Sequence, residues 1–284
     1  MITRQIPNLS FSQICQSGQC FRMTECRPGV YEVIAGDRRL EVSQQQETCV
    51  FDCSQRDFDE FWSGYFDLER DYGAYIDQIN PRDSYLLQAA ACGSGIRILK
   101  QDLWEMIVTF LISQQNNIVR IRRCIDNICR EYGCSITDEK GHAYYAFPRP
   151  EALAELPEDA LMACNLGYRS KYVVRAAKAV VSGAFDLHAV EQMNYRQSRE
   201  ALLTLFGAGE KVADCICLFA LHHLEAFPID THIRQALDQH YKRGFPNRRY
   251  QGHQGILQQY IFYYESAVKR PDRQRACTRG CQDI

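Results

Sequence analysis

The sequence predicts an α+β fold, with a β-rich N-terminal part over residues 1–95 and a mostly α-helical part over residues 96–284. Three observations carry this expectation. Short runs of strand composition, Tyr31–Ile34, Arg39–Ser43 and Thr48–Asp52, follow one another within the first 55 residues, separated by Gly-Asp and Gln-rich turns. From Asp57 onward the apolar residues recur at helical rather than alternating spacing. Behind a capping Asp102, residues Leu103, Trp104, Ile107, Val108, Leu111 and Ile112 follow the i, i+1, i+4, i+5 pattern of a helix buried in the main core.

The elements follow in chain order. Ser17–Arg22 (SGQCFR) reads either as a hairpin corner or as a place where Gly18 lets the backbone approach a ligand. Phe58, Phe61 and Trp62 fit an amphipathic turn behind Asp57, followed by Tyr65–Leu68 (YFDL). After the helix capped by Asp102 come five consecutive hydroxyl or amide side chains, Ser113–Asn117. They either cap the flanking helix ends or hydrogen-bond base edges. The next helix turns Ile118, Ile121, Ile125 and Ile128 inward and ends at Gly133, with Arg120, Arg122 and Arg123 beside them.

Short Pro-led helices then lead to Asn165–Tyr172 (NLGYRSKY). Its Gly-Tyr-Arg turn offers an aromatic ring and a cation at a helix start, as a surface corner or as a wedge and base contact. A helix through Arg199–Leu205, a helix from Lys211 to His222, another from Ile233 to Tyr241 and a last one over about Ile256–Val268 complete the pattern. The tail is basic, with Lys269, Arg270, Arg273, Arg275 and Arg279.

Composition narrows the classes. At 284 residues with 46% hydrophobic and 24% charged residues, the chain has the profile of a soluble globular protein. A net charge of −2 excludes a wholesale basic coat, so any nucleic-acid contact has to use a local patch or backbone amides. No stretch approaches a membrane span, and the first residues lack the apolar run of a signal peptide. The fourteen cysteines are therefore expected to be mostly reduced thiols. The expected compartment is the cytoplasm, at the nucleoid in a bacterial cell, with the nucleus as the alternative. Cys277 and Cys281 form an isolated C-x3-C without a second pair, so no metal site is expected.

Function concentrates in Leu205–His232 (LFGAGEKVADCICLFALHHLEAFPIDTH). Gly207 and Gly209 open a helix whose outward N–H groups suit a phosphate without needing positive side chains. Lys211 stands at the first turn, and Asp230 follows nineteen residues later. An amine on an apolar helix start can act as a nucleophile, with a carboxylate to stabilise developing positive charge. The bland alternatives are a lysine that snorkels over the hairpin and an aspartate that caps the helix at Ile233.

The whole set resembles the helix-hairpin-helix DNA glycosylases, and most closely their 8-oxoguanine DNA glycosylase branch. GAGEKVADCICLFAL and the later PIDTH recur at family spacing, with further matches at SGQCFR, YFDL, QNNIVRI, LGYRSKYV and GILQQYIF. The resemblance implies a TBP-like antiparallel sheet packed on a helical glycosylase core. It implies a bifunctional glycosylase/lyase that flips 8-oxoguanine out of duplex DNA, releases it through a Schiff base on Lys211, and nicks by β-elimination. Asp230 matches the catalytic aspartate.

The same resemblance implies that Gly18 accepts the N7–H of the oxidised base, that Gln258 reads its Watson–Crick edge, and that Phe262 and Cys215 sandwich it. Tyr168 would wedge the gap, and Gln115, Asn116, Arg120 and Arg169 would contact the duplex and the orphaned cytosine. His232 would meet a phosphate beside the lesion, and Gly207 and Gly209 a phosphate at the hairpin. In the last helix Gln259 neighbours Gln258 and competes with it for the base-reading register.

Two positions depart from the family. The first residue of an asparagine triplet is Gln115, which bears on the strictness of cytosine recognition, and the hairpin proline is Phe206. No cofactor is called for, and a monomer acting on 8-oxoguanine-containing double-stranded DNA is expected. A glycosylase for another damaged base and a catalytically silent DNA-binding module are the competing readings, and the pairing of Lys211 with Asp230 argues against the second.

Overall fold

The structure is a computed structural model and describes residues 1–268; the basic tail and Cys277/Cys281 lie outside the described residues. Five antiparallel strands form one sheet in the order β1-β5-β4-β3-β2, with β1 Ile2–Gln5, β2 Met23–Arg27, β3 Val30–Ala35, β4 Arg38–Gln45 and β5 Thr48–Phe51. Alternation places Tyr31, Val33, Leu40, Val42, Cys49 and Phe51 on the buried face. The helix Phe11–Gln16 and the aromatic residues Phe58, Trp62, Tyr65 and Phe66 cover that face. The three expected strands are β3, β4 and β5. The turn at Ser17–Arg22 leads into a strand, β2, while β1 carries no sequence signal because its side chains are mostly polar and outward, which leaves no alternating pattern.

In the helical part, all ten residues of Leu103–Ile112 are buried. The helix is enclosed on every side, more completely than its six-residue apolar pattern indicated, as expected for a central core helix. The helices Glu210–Phe219, Ser170–Val181 and Ile118–Tyr132 pack around it. The helices Tyr72–Asp77 and Ser84–Gly93, capped by Asp71 and Asp83, add Tyr72, Leu86 and Ala89 to this same core although they precede residue 95.

Several expected boundaries are corrected. Ser54, not Asp57, caps the turn before Phe58, and Phe58–Trp62 runs as a π-helical segment. The helix expected through Leu205 ends at Leu202. The last helix is Gln254–Tyr263, followed by a π-helical turn at Tyr264–Val268. The helix expected from Lys211 to His222 is Glu210–Phe219. It stops early because His222 takes a left-handed backbone (φ +56), from which its Nε2 donates to the Ile98 carbonyl at 3.2 Å and lies 3.4 Å from Asp67.

Asp67, from the YFDL segment, is thereby the knot between the two parts of the molecule. Its carboxylate also accepts from Tyr72 at 3.0 Å and meets Lys100 at 3.2 Å and Arg70 at 3.3 Å. Arg97 donates to the Asp67 carbonyl at 2.8 Å. Burial works to raise the carboxyl's pKa, but His222, Lys100 and Tyr72 outweigh it and hold the group below its ordinary value. A carboxyl lowered by folding stabilises the fold above its unfolded pKa, and that contribution is lost as pH falls through the lowered one.

Replacing this carboxylate leaves buried donors without their anion, at a cost of about 3 kcal/mol. Asp67→Asn is therefore expected to lower the melting temperature at neutral pH, with the gap to the parent closing only below pH 3.8. A gap independent of pH would assign the loss to packing instead.

Candidate active site and nucleic-acid interface

The hairpin that precedes the helix Glu210–Phe219 is fixed from beneath by a tyrosine. Gly207 has φ +90, and a Cβ there would lie 2.6 Å from the Tyr172 ring. Glycine is therefore required both by conformation and by close approach. Gly209 is the N-cap residue, extended at φ −100 and ψ 177, and no side chain caps the helix. The first amides of this helix are thus left to an incoming anion, with the helix dipole favouring negative charge. On the far side Asp214 accepts from Tyr195 at 2.8 Å and from Arg199 at 2.7 Å, which holds the helix against the preceding one.

Lys211, in the first turn, is half-buried and points inward rather than snorkelling to solvent. Its Nζ donates to Ser113 Oγ at 3.2 Å and lies 5.3 Å from the centre of the Phe110 ring. Ser113 in turn donates its hydroxyl proton to the Phe110 carbonyl at 2.8 Å, so its oxygen is oriented as an acceptor toward the amine. One turn along, Cys215 is buried, and burial pushes its thiol up to about 11 against the opposing charge of Lys211. The charge of Asp230 acts on the same thiol in the direction of burial. Asp230 also caps the helix Thr231–His240 by accepting from the Ile233 amide at 2.8 Å. The capping reading is thus correct for this aspartate.

The remaining pocket residues converge from distant parts of the chain. Gly18, with φ +72, follows the helix Phe11–Gln16 instead of forming a hairpin corner. A Cβ on it would lie 3.1 Å from Phe262. The Phe262 ring also meets His232 edge-on, with 5.9 Å between ring centres. Gln258, one turn before Phe262, is buried and donates Nε2 to the Pro228 carbonyl at 2.9 Å. Gln259 is buried as well and donates to the Gln258 side-chain oxygen at 3.0 Å.

The amide-rich turn caps the flanking helix ends. Asn117 caps the helix Ile118–Tyr132 by accepting from the Arg120 amide at 2.9 Å, and Asn116 donates to the Ile112 carbonyl at 3.1 Å. Gln115 is exposed, as is Asn117, and takes a left-handed φ of +47. Arg169 is buried, donating to the carbonyls of Gln114 at 2.8 Å, Gln115 at 2.9 Å and Leu166 at 3.3 Å. These bonds hold the turn in shape. Arg120 is exposed and reaches the Asn165 carbonyl at 3.3 Å, while Tyr168 is exposed beside the Arg169 guanidinium.

Ser113, Phe110 and Tyr172 are site residues that sequence reasoning did not single out. The available signal was position: a polar residue directly after a fully buried helix has to face something.

A phosphate-ready hairpin that carries an inward amine defines the class of site. Residues 108–246 match the HhH-GPD superfamily of base excision DNA repair proteins, and residues 1–107 match the 8-oxoguanine DNA glycosylase N-terminal domain. The N-glycosylase/DNA lyase of Saccharomyces cerevisiae is 30% identical over 262 residues, covering 82% of this chain and 69% of its own. The Clostridium acetobutylicum 8-oxoguanine glycosylase/lyase, solved with double-stranded DNA containing cytosine opposite 8-oxoG, is 34% identical, with TM-score 0.88 and 94% of each chain covered. A 3-methyladenine DNA glycosylase of Archaeoglobus fulgidus shares the fold alone, at TM-score 0.72 and 18% identity over 93% of this chain and 98% of its own. The chain belongs to the 8-oxoguanine DNA glycosylase family, enzymes of base excision repair with N-glycosylase and DNA lyase activity.

The hairpin geometry carries its own test. Gly207→Ala forces either Tyr172 or the hairpin to move, and is expected to weaken duplex binding in fluorescence anisotropy by roughly tenfold. Unchanged affinity in a folded variant would remove the hairpin from the interface.

Proposed function

We propose that this protein, acting as a monomer, excises 8-oxoguanine from duplex DNA through a Schiff base on Lys211 and then nicks the strand by β-elimination. The observation that carries this reading is the placement of Lys211 Nζ. It is held by a neutral hydroxyl and an aromatic ring, so no carboxylate ion pair has to break before the amine attacks.

The hairpin amides around Gly207 and Gly209 grip a backbone phosphate, His232 meets another beside the lesion, and the exposed Tyr168 enters the gap as the base swings out. The base settles between Phe262 and Cys215. The Gly18 carbonyl accepts the N7–H that ordinary guanine lacks, and Gln258 reads the Watson–Crick edge. Lys211 attacks C1′ with its lone pair, the bond from C1′ to the base breaks, and the bonding electrons leave with the base. Asp230 stabilises the positive charge that develops on the sugar. Ring opening gives the Schiff base. Removal of a C2′ proton then expels the 3′ phosphate and cuts the strand.

Opposite the lesion, Gln115, Asn116 and Arg120 face the orphaned cytosine. Arg169 acts one step back, by shaping the turn that presents Gln115 and Asn116. The longer amide at Gln115 loosens the preference for cytosine.

Borohydride trapping on a duplex with 8-oxoguanine opposite cytosine is expected to give a covalent adduct that disappears in Lys211→Gln. Absence of an adduct on every oxidised-purine duplex would sink the lyase mechanism. In the same assay, Gln115→Asn is expected to sharpen discrimination against adenine opposite the lesion by roughly threefold to tenfold; no change would clear Gln115 of that role.

A further inference from the structure

Gln259 makes an unusual compromise. It is 3% exposed and spends its amide N–H on the Gln258 side-chain oxygen, while its own side-chain oxygen has no hydrogen-bond partner. Buried acceptors left in this state are rare, and each calls for a reason. A methionine or leucine would fill a buried helical position without leaving a polar atom unsatisfied.

The reason lies one residue back. The Pro228 carbonyl can only accept, so the Gln258 amide must turn its nitrogen toward it, and does so at 2.9 Å. That leaves the Gln258 oxygen on the other side, where Gln259 supplies a donor at 3.0 Å. A glutamine amide has two N–H groups and two oxygen lone-pair positions. With one of each committed, Gln258 retains one donor and one acceptor in a fixed order. A free glutamine side chain can turn over and offer the reverse order. That difference matters for a flipped base, because a guanine-type Watson–Crick edge presents an acceptor (O6) and then a donor (N1–H). An adenine-type edge presents a donor (N6–H) and then an acceptor (N1).

We propose that Gln259 is a specificity-determining positioning residue: with the Pro228 carbonyl, it locks the Gln258 amide in the orientation that suits a guanine-type edge. The proposal rests on the assignment of Gln258 as the base-reading residue. It gives Gln259 no contact with the base, and its effect passes entirely through its neighbour. It also accounts for the burial of two adjacent glutamines on one helix, a placement that packing alone does not favour.

The test uses the full chain and single-turnover excision from two duplexes, one with 8-oxoguanine and one with 8-oxoadenine opposite cytosine. Gln259→Met removes the donor and the unsatisfied acceptor together at similar volume. It is expected to lower the ratio of the two rates by roughly threefold to tenfold, the worth of one neutral hydrogen bond, without lowering the melting temperature. Gln259→Ala is expected to lower the ratio likewise, although its cavity costs stability. If Gln258→Met collapses the ratio while Gln259→Met stays within about twofold of the parent, the orienting role is overturned and base reading by Gln258 stands. If Gln258→Met leaves the ratio intact, the base-reading assignment fails and the proposal fails with it. A ratio that falls only in step with melting temperature across the two Gln259 variants would make the residue structural and also overturn the proposal.

Discussion

The contact between Lys211 and Ser113 sets the dimensions of everything around it. Lys211 stands in the first turn of the helix that follows the hairpin, and Ser113 begins the turn that carries Gln115 and Asn116. One hydrogen bond of 3.2 Å therefore ties three things to one another: the uncapped helix N-terminus, the Lys211 amine and the amide-rich turn. A hydrogen bond of this kind contributes about 0.5–1.5 kcal/mol, modest for stability but enough to hold an amine in one place. The other end of the same helix is tied down as firmly. The Gln101 amide donates to the Phe219 carbonyl at 3.1 Å, and His222 reaches the Asp67 knot immediately beyond. The helix is gripped at both ends, so the N-terminal part of the molecule has a direct bearing on where the lysine sits.

Side-chain chemistry divides cleanly in this site between residues that act and residues that hold. Arg169 and Asn116 look from composition like groups meant for a nucleic acid, yet in this structure both donate to backbone carbonyls. Asp230 holds as well, and its N-cap interaction uses one oxygen and leaves the second for other work. Phe206, which stands where related hairpins carry proline, remains 46% exposed. It packs edge-on against Tyr172 with ring centres 5.5 Å apart, under the Arg175 guanidinium at 4.1 Å. The hairpin thus keeps its shape by a ring contact where a proline would have stiffened the backbone.

Much of this was legible in the chain because the signals were local and strong. Strand-like composition between turn residues disclosed β3, β4 and β5, the Asp102 cap and apolar run disclosed the central helix, and the isoleucines from Ile118 onward and Gly133 disclosed the next one. Lys211 and Asp230 stand out in the chain itself, the family resemblance implies roles for Cys215, Gly18 and Phe262, and the fold brings Gly18 to Phe262 across more than two hundred residues. What escaped depends on partners distant in sequence. Edge strand β1 lacks an alternating pattern, because pairing rather than burial defines it. The early end of the lysine helix follows from a left-handed His222 seeking Asp67, and no local propensity encodes that contact. Ser113 and Gln259 were each one letter in a polar run, and only the fold shows which atom each one meets.

The central claim is that the nucleophile is the Lys211 amine and no other. Its most direct measurement is peptide mapping by mass spectrometry of the borohydride-reduced complex formed on an 8-oxoguanine duplex. The account predicts the sugar remnant on the peptide that contains Lys211, attached at its side chain. A remnant on a different lysine or on the N-terminal amine, with Lys211 unmodified, would contradict it.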